Sequence, residues 1–132
     1  MNVCNFENNS FFEERMPSKL KVLLSGEGGK LHSGVGGTYY IQRRKINGKI
    51  HWIHQSRGFA IWWDDNSDPP SWMIGEFSNL GSTRSKVHGP GNDARSPTKI
   101  KSGWKYLAYD GWYDIPQNDL QIADWTNKIG SH

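Results

Sequence analysis

Two groups of aspartates are the residues of this 132-residue chain whose spacing could support acid–base chemistry. Asp64, Asp65 and Asp68 lie close together in one polar stretch, and Asp110 and Asp114 lie close together in another. Glycoside hydrolysis needs two carboxylates about 5–10 Å apart across a cleft. Aspartates beside Asn, Ser, Gly and Pro more commonly hydrogen-bond their own backbone in turns, and we expect that role here. The sequence therefore predicts no catalytic residue and a protein that is not an enzyme.

Metal and nucleophile chemistry lack their usual motifs. His51 and His54 are three residues apart on a predicted strand, so their side chains point to opposite faces and cannot share an ion. Cys4 is the single cysteine, and the chain has no CxxC pair, no HxxxH pair and no GxSxG elbow. The glycines of residues 25–37 fit neither the Walker spacing nor the dinucleotide fingerprint. We predict no metal and no cofactor.

Aromatic side chains point instead to binding without catalysis. The chain holds seven tryptophans, and aromatic residues make up 13% of it. Exposed rings give a large contact area at low entropy cost, and they stack on sugars or bases or anchor peptides. Core packing can account for each single ring, but we expect one or two of the seven to be exposed. The candidate ligand-binding residues are these rings and their polar neighbours: Trp62, Asp64, Asp65, Asn66, Trp72, Trp104, Trp112 and Tyr113.

Three classes of partner fit such a surface. A protein partner needs an exposed aromatic patch with a polar rim, and protein interaction or assembly is the function we predict first. A glycan needs rings beside Asp or Asn, which residues 62–66 offer. Single-stranded nucleic acid needs basic residues interleaved with rings, and a net charge of +3 makes it the weaker alternative. The basic candidates are Arg43, Arg44, Lys45, Arg84, Lys86, Arg95, Lys99 and Lys101.

A four-strand antiparallel meander over residues 38–77 is predicted to position most of these side chains. Asn47-Gly48 is its clearest turn signal, because both central positions of a type I′ turn need positive φ. A two-residue turn fixes the pairing of the strands on either side. In that register Gln42 faces Ile53.

Strand alternation then assigns side chains to faces. Tyr39, Ile50 and Trp52 fall on the predicted core face. Trp62 and Trp63 are neighbours on the third strand and point in opposite directions. One of them must therefore be partly exposed, unless a second layer covers it.

The rest of the chain predicts short strands joined by turns. Residues 1–18 are predicted to form an N-terminal arm that docks through Phe11 or Phe12, with one helical turn over residues 11–16 as the alternative. Residues 19–132 form a single β domain with no further helix. A long polar loop is expected near 78–103, and a hairpin turn at Asp110-Gly111. Seven to eight short strands with these turn signals predict an all-β fold, either an antiparallel β-sandwich or a closed barrel.

The spacing of aromatic residues and glycines resembles that of small tryptophan-rich all-β modules in multidomain proteins of invertebrates and protists. The matching elements are Gly37-Thr38-Tyr39, Asn47-Gly48 with Trp52, Gly58, Ile61-Trp62-Trp63, Trp72-Met73-Ile74-Gly75 and Gly111-Trp112. The resemblance covers about residues 36–122. It implies one all-β module and carries no assigned chemistry, so it transfers no functional residue.

Location is predicted from what the chain lacks. No apolar run is long enough to span a bilayer, and the N-terminus has no basic-then-apolar signal pattern. A single cysteine allows no internal disulfide. We therefore expect no membrane association and favour a cytoplasmic location.

Overall fold

A computed structural model describes residues 16–92 and 94–128 of the chain. The strands are β1 (Lys19–Leu24), β2 (Gly37–Ile46), β3 (Lys49–His54), β4 (Phe59–Asp64), β5 (Ser71–Glu76), β6 (Val87–His88), β7 (Lys105–Ala108), β8 (Gly111–Asp114) and β9 (Leu120–Asp124). One α-helix, α1 (Gly26–Leu31), follows β1, and 3₁₀ turns cover Phe77–Asn79, Pro97–Lys99 and Gln117–Asp119. All strand pairs are antiparallel, and they form one strongly curled half-barrel sheet in the order β8-β7-β6-β5-β4-β3-β2-β1-β9.

The all-β prediction is confirmed, whereas the sandwich or closed barrel of seven to eight strands is wrong. The difference arises in the stretch 78–103, which was predicted to be one long polar loop. It contains the two-residue strand β6, which pairs with β5 on one side and β7 on the other. Because β6 bridges them, the later strands extend the same sheet instead of building a second one. β8 and β9 end the sheet and do not pair with each other.

Helix α1 differs from the expectation that the β domain contains no helix. It follows β1 in the chain and lies beside β7. The His32 ring, directly after the helix, places its Nε2 2.6 Å from the carbonyl oxygen of Leu107 in β7. Gly28 allows this close approach, because a Cβ there would lie 3.1 Å from Cδ1 of Tyr106. The predicted N-terminal helical turn falls outside the described residues.

The central meander is present, and its first turn is as predicted. Asn47 and Gly48 have φ of 54° and 87°, as a type I′ turn requires. The predicted register fails further along, because Gln42 faces His51 and not Ile53. Residues 43–45 form a bulge in β2, so that three residues there stand against one in β3. A shift of two residues keeps the side chains outside the bulge on their predicted faces.

The main core lies on the concave side of the sheet. One cluster of buried side chains joins Leu20 of β1 to Val87 of β6, strands that are far apart in the sheet order. Trp52 and Trp72 are fully buried at its centre, with ring centroids 5.8 Å apart.

A second, smaller cluster buries part of the convex face. Ile53, Ala60, Trp62 and Met73 form it, and the segment after β5 covers it through Phe77 and Leu80. Nε1 of Trp62 donates to the carbonyl of Ser82 at 3.0 Å. This second layer allows Trp62 and Trp63 to be buried on opposite faces of β4.

Replacement of a core tryptophan should cost far more stability than replacement of the exposed one. Trp72→Ala should lower the free energy of unfolding by about 3–5 kcal/mol, because it leaves a large cavity. Trp112→Ala is the matched control and should cost less than about 1 kcal/mol, since Trp112 is 40% exposed. Urea denaturation followed by circular dichroism measures both. Equal losses at the two positions would contradict this description of the core.

Acid should destabilise the fold through His51. This residue is buried, its Nδ1 has no hydrogen-bond partner, and burial lowers its pKa. The unfolded chain therefore binds the proton more readily, so stability falls as the pH drops below the unfolded value of about 6.5. In the variant His51→Phe, stability should fall less between neutral and mildly acidic pH than in the wild type. The free energy of unfolding is measured by urea titration at each pH. An equal fall with pH in the two proteins would rule out this role.

Candidate functional site

The hairpin of β7 and β8 carries most of the exposed aromatic surface of the described chain. Tyr109 is fully exposed, Tyr113 is 45% exposed and Trp112 is 40% exposed. The other exposed aromatic residue is Tyr40 of β2. The exposure follows from position, because β8 ends the sheet and Tyr109 lies in the turn. We call Tyr109, Trp112 and Tyr113 the aromatic edge.

The turn of this hairpin is one residue earlier than predicted. Ala108 pairs with Gly111, so the two turn residues are Tyr109 and Asp110. Gly111 has φ of 140° and opens β8 instead of lying within the turn. The shift moves Tyr109 off the strand and leaves its ring without a neighbouring strand to cover it.

A groove of about 470 Å³ separates α1 from this hairpin. Tyr106 and Tyr113 form its aromatic wall, with centroids 5.8 Å apart and rings inclined by 22°. The lining residues are Glu27, Lys30, Leu31, Tyr106, Ala108, Tyr109, Asp110 and Tyr113. We call this the tyrosine groove.

The tyrosine groove has three charged side chains, Glu27, Lys30 and Asp110. The Tyr113 hydroxyl donates to Asp110, at 2.9 Å to Oδ1 and 3.0 Å to Oδ2. This hydrogen bond and the charge of Asp110 raise the pKa of Tyr113. Lys30 and Glu27 form an exposed pair at 3.3 Å, a type of contact that contributes little stability. The carboxylate of Asp110 thus fixes one ring and offers its other lone pairs to a ligand.

The other face of the hairpin presents Trp112. Its ring meets the ring of His88 edge-on, with centroids 4.4 Å apart. Asp114 and Lys105 form a salt bridge beside it. Asp110 and Asp114 therefore serve opposite faces of the hairpin and do not form a carboxylate pair across a cleft.

Three of the predicted ligand-binding tryptophans are buried and present no ring face to solvent. Trp62, Trp72 and Trp104 are each no more than 3% exposed. Each indole N–H donates to a backbone carbonyl: Trp62 to Ser82, Trp72 to Ala94 at 2.9 Å and Trp104 to Ile100 at 3.1 Å. These rings fill the core and bond to the loops that cover it. Of the predicted ligand-binding aromatic residues, Trp112 and Tyr113 are the two that are exposed.

The polar candidates beside β4 are remote from the aromatic edge. Asp64 is fully buried, and its Oδ1 accepts from the backbone N–H of Asn66 at 2.9 Å, which is an Asx turn. Asp65 and Asn66 are exposed in the loop that follows. Three strands separate β4 from β8 in the sheet order, so this loop does not join the tyrosine groove.

The basic candidates fall into separate places. Arg43, Arg44 and Lys45 are exposed in the bulge of β2, and their neighbour Ile46 lies against Gly81 in the segment that leads to Arg84 and Lys86. Arg95, Lys99 and Lys101 belong to the segment before β7, where the turn Pro97–Lys99 contacts β9.

Sequence reasoning missed Tyr106, Tyr109 and the helix that faces them, and it assigned Asp110 only a role in a turn. The alternation of β7 was a usable signal, since it sets Tyr106 on the face opposite Leu107. Nothing in the sequence indicated that α1 would lie beside β7, because that contact joins segments distant in the chain.

Residues 16–92 and 94–128 contain no group of three or more His, Cys, Asp or Glu side chains arranged to hold a metal ion. None of the helices in these ranges has the length and apolar character needed to cross a membrane. Comparison with protein-family models, with curated proteins and with solved structures gave no match to this chain.

The hydrogen bond to Asp110 can be tested by titration of Tyr113. Asp110→Asn should lower the pKa of Tyr113 towards its ordinary value of about 10, because it removes the negative charge that opposes phenolate formation. Tyrosine labelled with ¹³C at the ring carbon that bears oxygen resolves each phenol by NMR. Asp114→Asn, on the opposite face, should leave the titration unchanged. A titration unaffected by either variant would show that the contact is not maintained in solution.

Proposed function

We propose that this chain is a non-catalytic recognition module that binds a protein partner through the aromatic edge. The observation that carries the proposal is the clustering of three exposed rings within five residues of one end hairpin. Tyr and Trp are enriched in the energetically important part of protein interfaces, because they bury a large area with few rotatable bonds. Asp110, Asp114 and Lys105 supply the polar rim that such interfaces have.

Carbohydrate binding is the second candidate, and the tyrosine groove favours it. Tyr106, Tyr109 and Tyr113 offer ring faces, and the Asp110 carboxylate can accept hydrogen bonds from sugar hydroxyls. This candidate uses the groove between α1 and the hairpin, whereas the first uses the edge and both faces of the hairpin.

The proposed relationship to tryptophan-rich all-β modules of multidomain proteins assigns no activity to this chain. The proposal does not depend on that relationship. Trp112 and Tyr113 are the two rings that the sequence and the geometry both favour.

Replacement of the aromatic edge should abolish binding while leaving the fold intact. The variant Tyr109→Ser/Trp112→Ser/Tyr113→Ser removes the three rings, and loss of even one interface anchor costs about 2 kcal/mol or more, or about thirtyfold in Kd. The probes are a phage-displayed library of random linear peptides and a glycan array. Peptide enrichment on the wild type that vanishes on the variant is the expected outcome.

Tyr40→Ser is the matched control, because Tyr40 is similarly exposed on β2, away from the hairpin. It should retain the peptides that the wild type selects. Glycan binding that resists high salt and is lost with Tyr113 alone would select the second candidate instead. Peptide enrichment and glycan binding that are the same on the wild type and the triple variant would refute both candidate functions.

A further inference from the structure

We infer that the outer edge of β8 binds an extended segment of a partner protein, which adds to the sheet as a further antiparallel strand. This inference rests on the proposed function and specifies how the partner is held. Strand addition supplies affinity through main-chain hydrogen bonds and specificity through alternate side chains. It requires a strand whose outward backbone groups are unpaired and accessible.

The hydrogen bonds around β7 establish which backbone groups point outward. The N–H of Ile115 donates to the carbonyl of Trp104 at 2.9 Å, so these two residues form a hydrogen-bonded pair. The N–H of Leu107 donates to Lys86 at 2.8 Å, in the direction away from β8. Bonding between antiparallel strands alternates from one residue pair to the next.

This alternation of hydrogen-bonded and non-hydrogen-bonded pairs, continued along the hairpin, shows which backbone groups of β8 point outward. Gly111 and Tyr113 direct their N–H and C=O groups towards β7, and Trp112 and Asp114 direct theirs away from it. No described residue bonds to the four outward groups, because β8 is the last strand in the sheet order. Three of the four residues of β8 are exposed, and Trp112 and Asp114 are among them.

The opposite end of the sheet is covered, which sets β8 apart. The 3₁₀ turn Pro97–Lys99 contacts β9. Ile100 follows it and borders a groove of about 300 Å³ together with Leu120 and Ile122. Within residues 16–92 and 94–128 no segment outside the sheet contacts β8 to a comparable extent, and β8 carries neither the lysine nor the proline that commonly blocks an edge strand.

The surroundings of β8 define the chemistry of the partner segment. Side chains on one side of an added strand would meet Tyr113 and the tyrosine groove, and those on the other would meet Trp112. The charged residues of that groove are Glu27, Lys30 and Asp110, which sum to a net negative charge. An extended segment with apolar or aromatic residues at alternate positions and a Lys or Arg near Asp110 fits both the rings and the charge.

Charge also argues against a second copy of this chain as the occupant. Asp110 and Asp114 lie at the two ends of β8, and Lys105 is already bonded to Asp114. Two such edges brought together would place four carboxylates along one seam. A basic partner segment meets complementary charge instead.

A proline substitution separates the backbone from the side chain. Asp114→Pro removes an outward N–H and no bond to β7, and proline is tolerated on edge strands. Asp114→Ala removes the same carboxylate and keeps the N–H, so it is the matched control. Both variants lose the carboxylate, so the comparison that isolates the backbone is between them: peptides selected from the random phage-displayed library should bind Asp114→Pro about tenfold more weakly than Asp114→Ala.

Amide hydrogen exchange gives a second measurement that needs no variant. In the free protein the amides of Gly111 and Tyr113 should exchange slowly, and those of Trp112 and Asp114 rapidly. Addition of a selected synthetic peptide should protect Trp112 and Asp114 specifically. Asp110→Asn should weaken the binding of peptides that contain Lys or Arg, and it should reduce their dependence on salt.

The outcomes distinguish this inference from the proposed function. Equal peptide binding by Asp114→Pro and Asp114→Ala, with no new amide protection, overturns strand addition, and loss of binding in the triple aromatic variant would still uphold the proposed function. Binding unaffected by all these variants, or no peptide enrichment at all, overturns both. A dimer found by ultracentrifugation and abolished by Asp114→Pro would assign the edge to a second copy and overturn the partner proposed here.

Discussion

The requirement that a buried indole N–H be hydrogen-bonded organises this protein. A buried polar group without a partner costs about 1–3 kcal/mol, and Trp52, Trp62, Trp72 and Trp104 all meet the requirement in the same way. Each donates to a backbone carbonyl outside the strands, at Pro17, Ser82, Ala94 and Ile100 respectively. The tryptophans thus fill the sheet's two buried surfaces and also fix the segments that cross them. A half-barrel with long connections needs such attachment, since its end strands do not close on each other.

This use of tryptophan in the core limits what remains for recognition. The seven tryptophans divide into five buried rings, one partly exposed ring at Trp125 and one exposed ring at Trp112. An open sheet also has two end strands, and only β9 is covered by a neighbouring segment of the described chain. The exposed rings and the uncovered strand coincide in the β7–β8 hairpin. That coincidence of ring surface and unpaired backbone is what makes the hairpin suited to a protein segment.

Local signals predicted much of the fold, and their failures have physical causes. Asn47-Gly48 fixed its own turn because positive φ is a property of those two residues. The register beyond it failed at the bulge of residues 43–45, whose extra residues nothing local announces. Asp110-Gly111 predicted the correct hairpin but the wrong turn residues, since pairing of Ala108 with Gly111 set the loop. The two-residue strand β6 was hidden in a polar stretch, because its pairing comes from β5 and β7 and not from its own composition.

The sequence by itself determined the all-β class, the meander, the faces of its strands and the abundance of rings, because these follow from turn chemistry and the two-residue alternation of strands. It named Trp112 and Tyr113 among the candidates but ranked them no higher than Trp72. Only the tertiary structure decided which rings are buried, because burial depends on segments distant in the chain, such as the one after β5 that covers Trp62. The same holds for the tyrosine groove, which exists because α1, directly after β1, lies against β7 near the far end of the sheet.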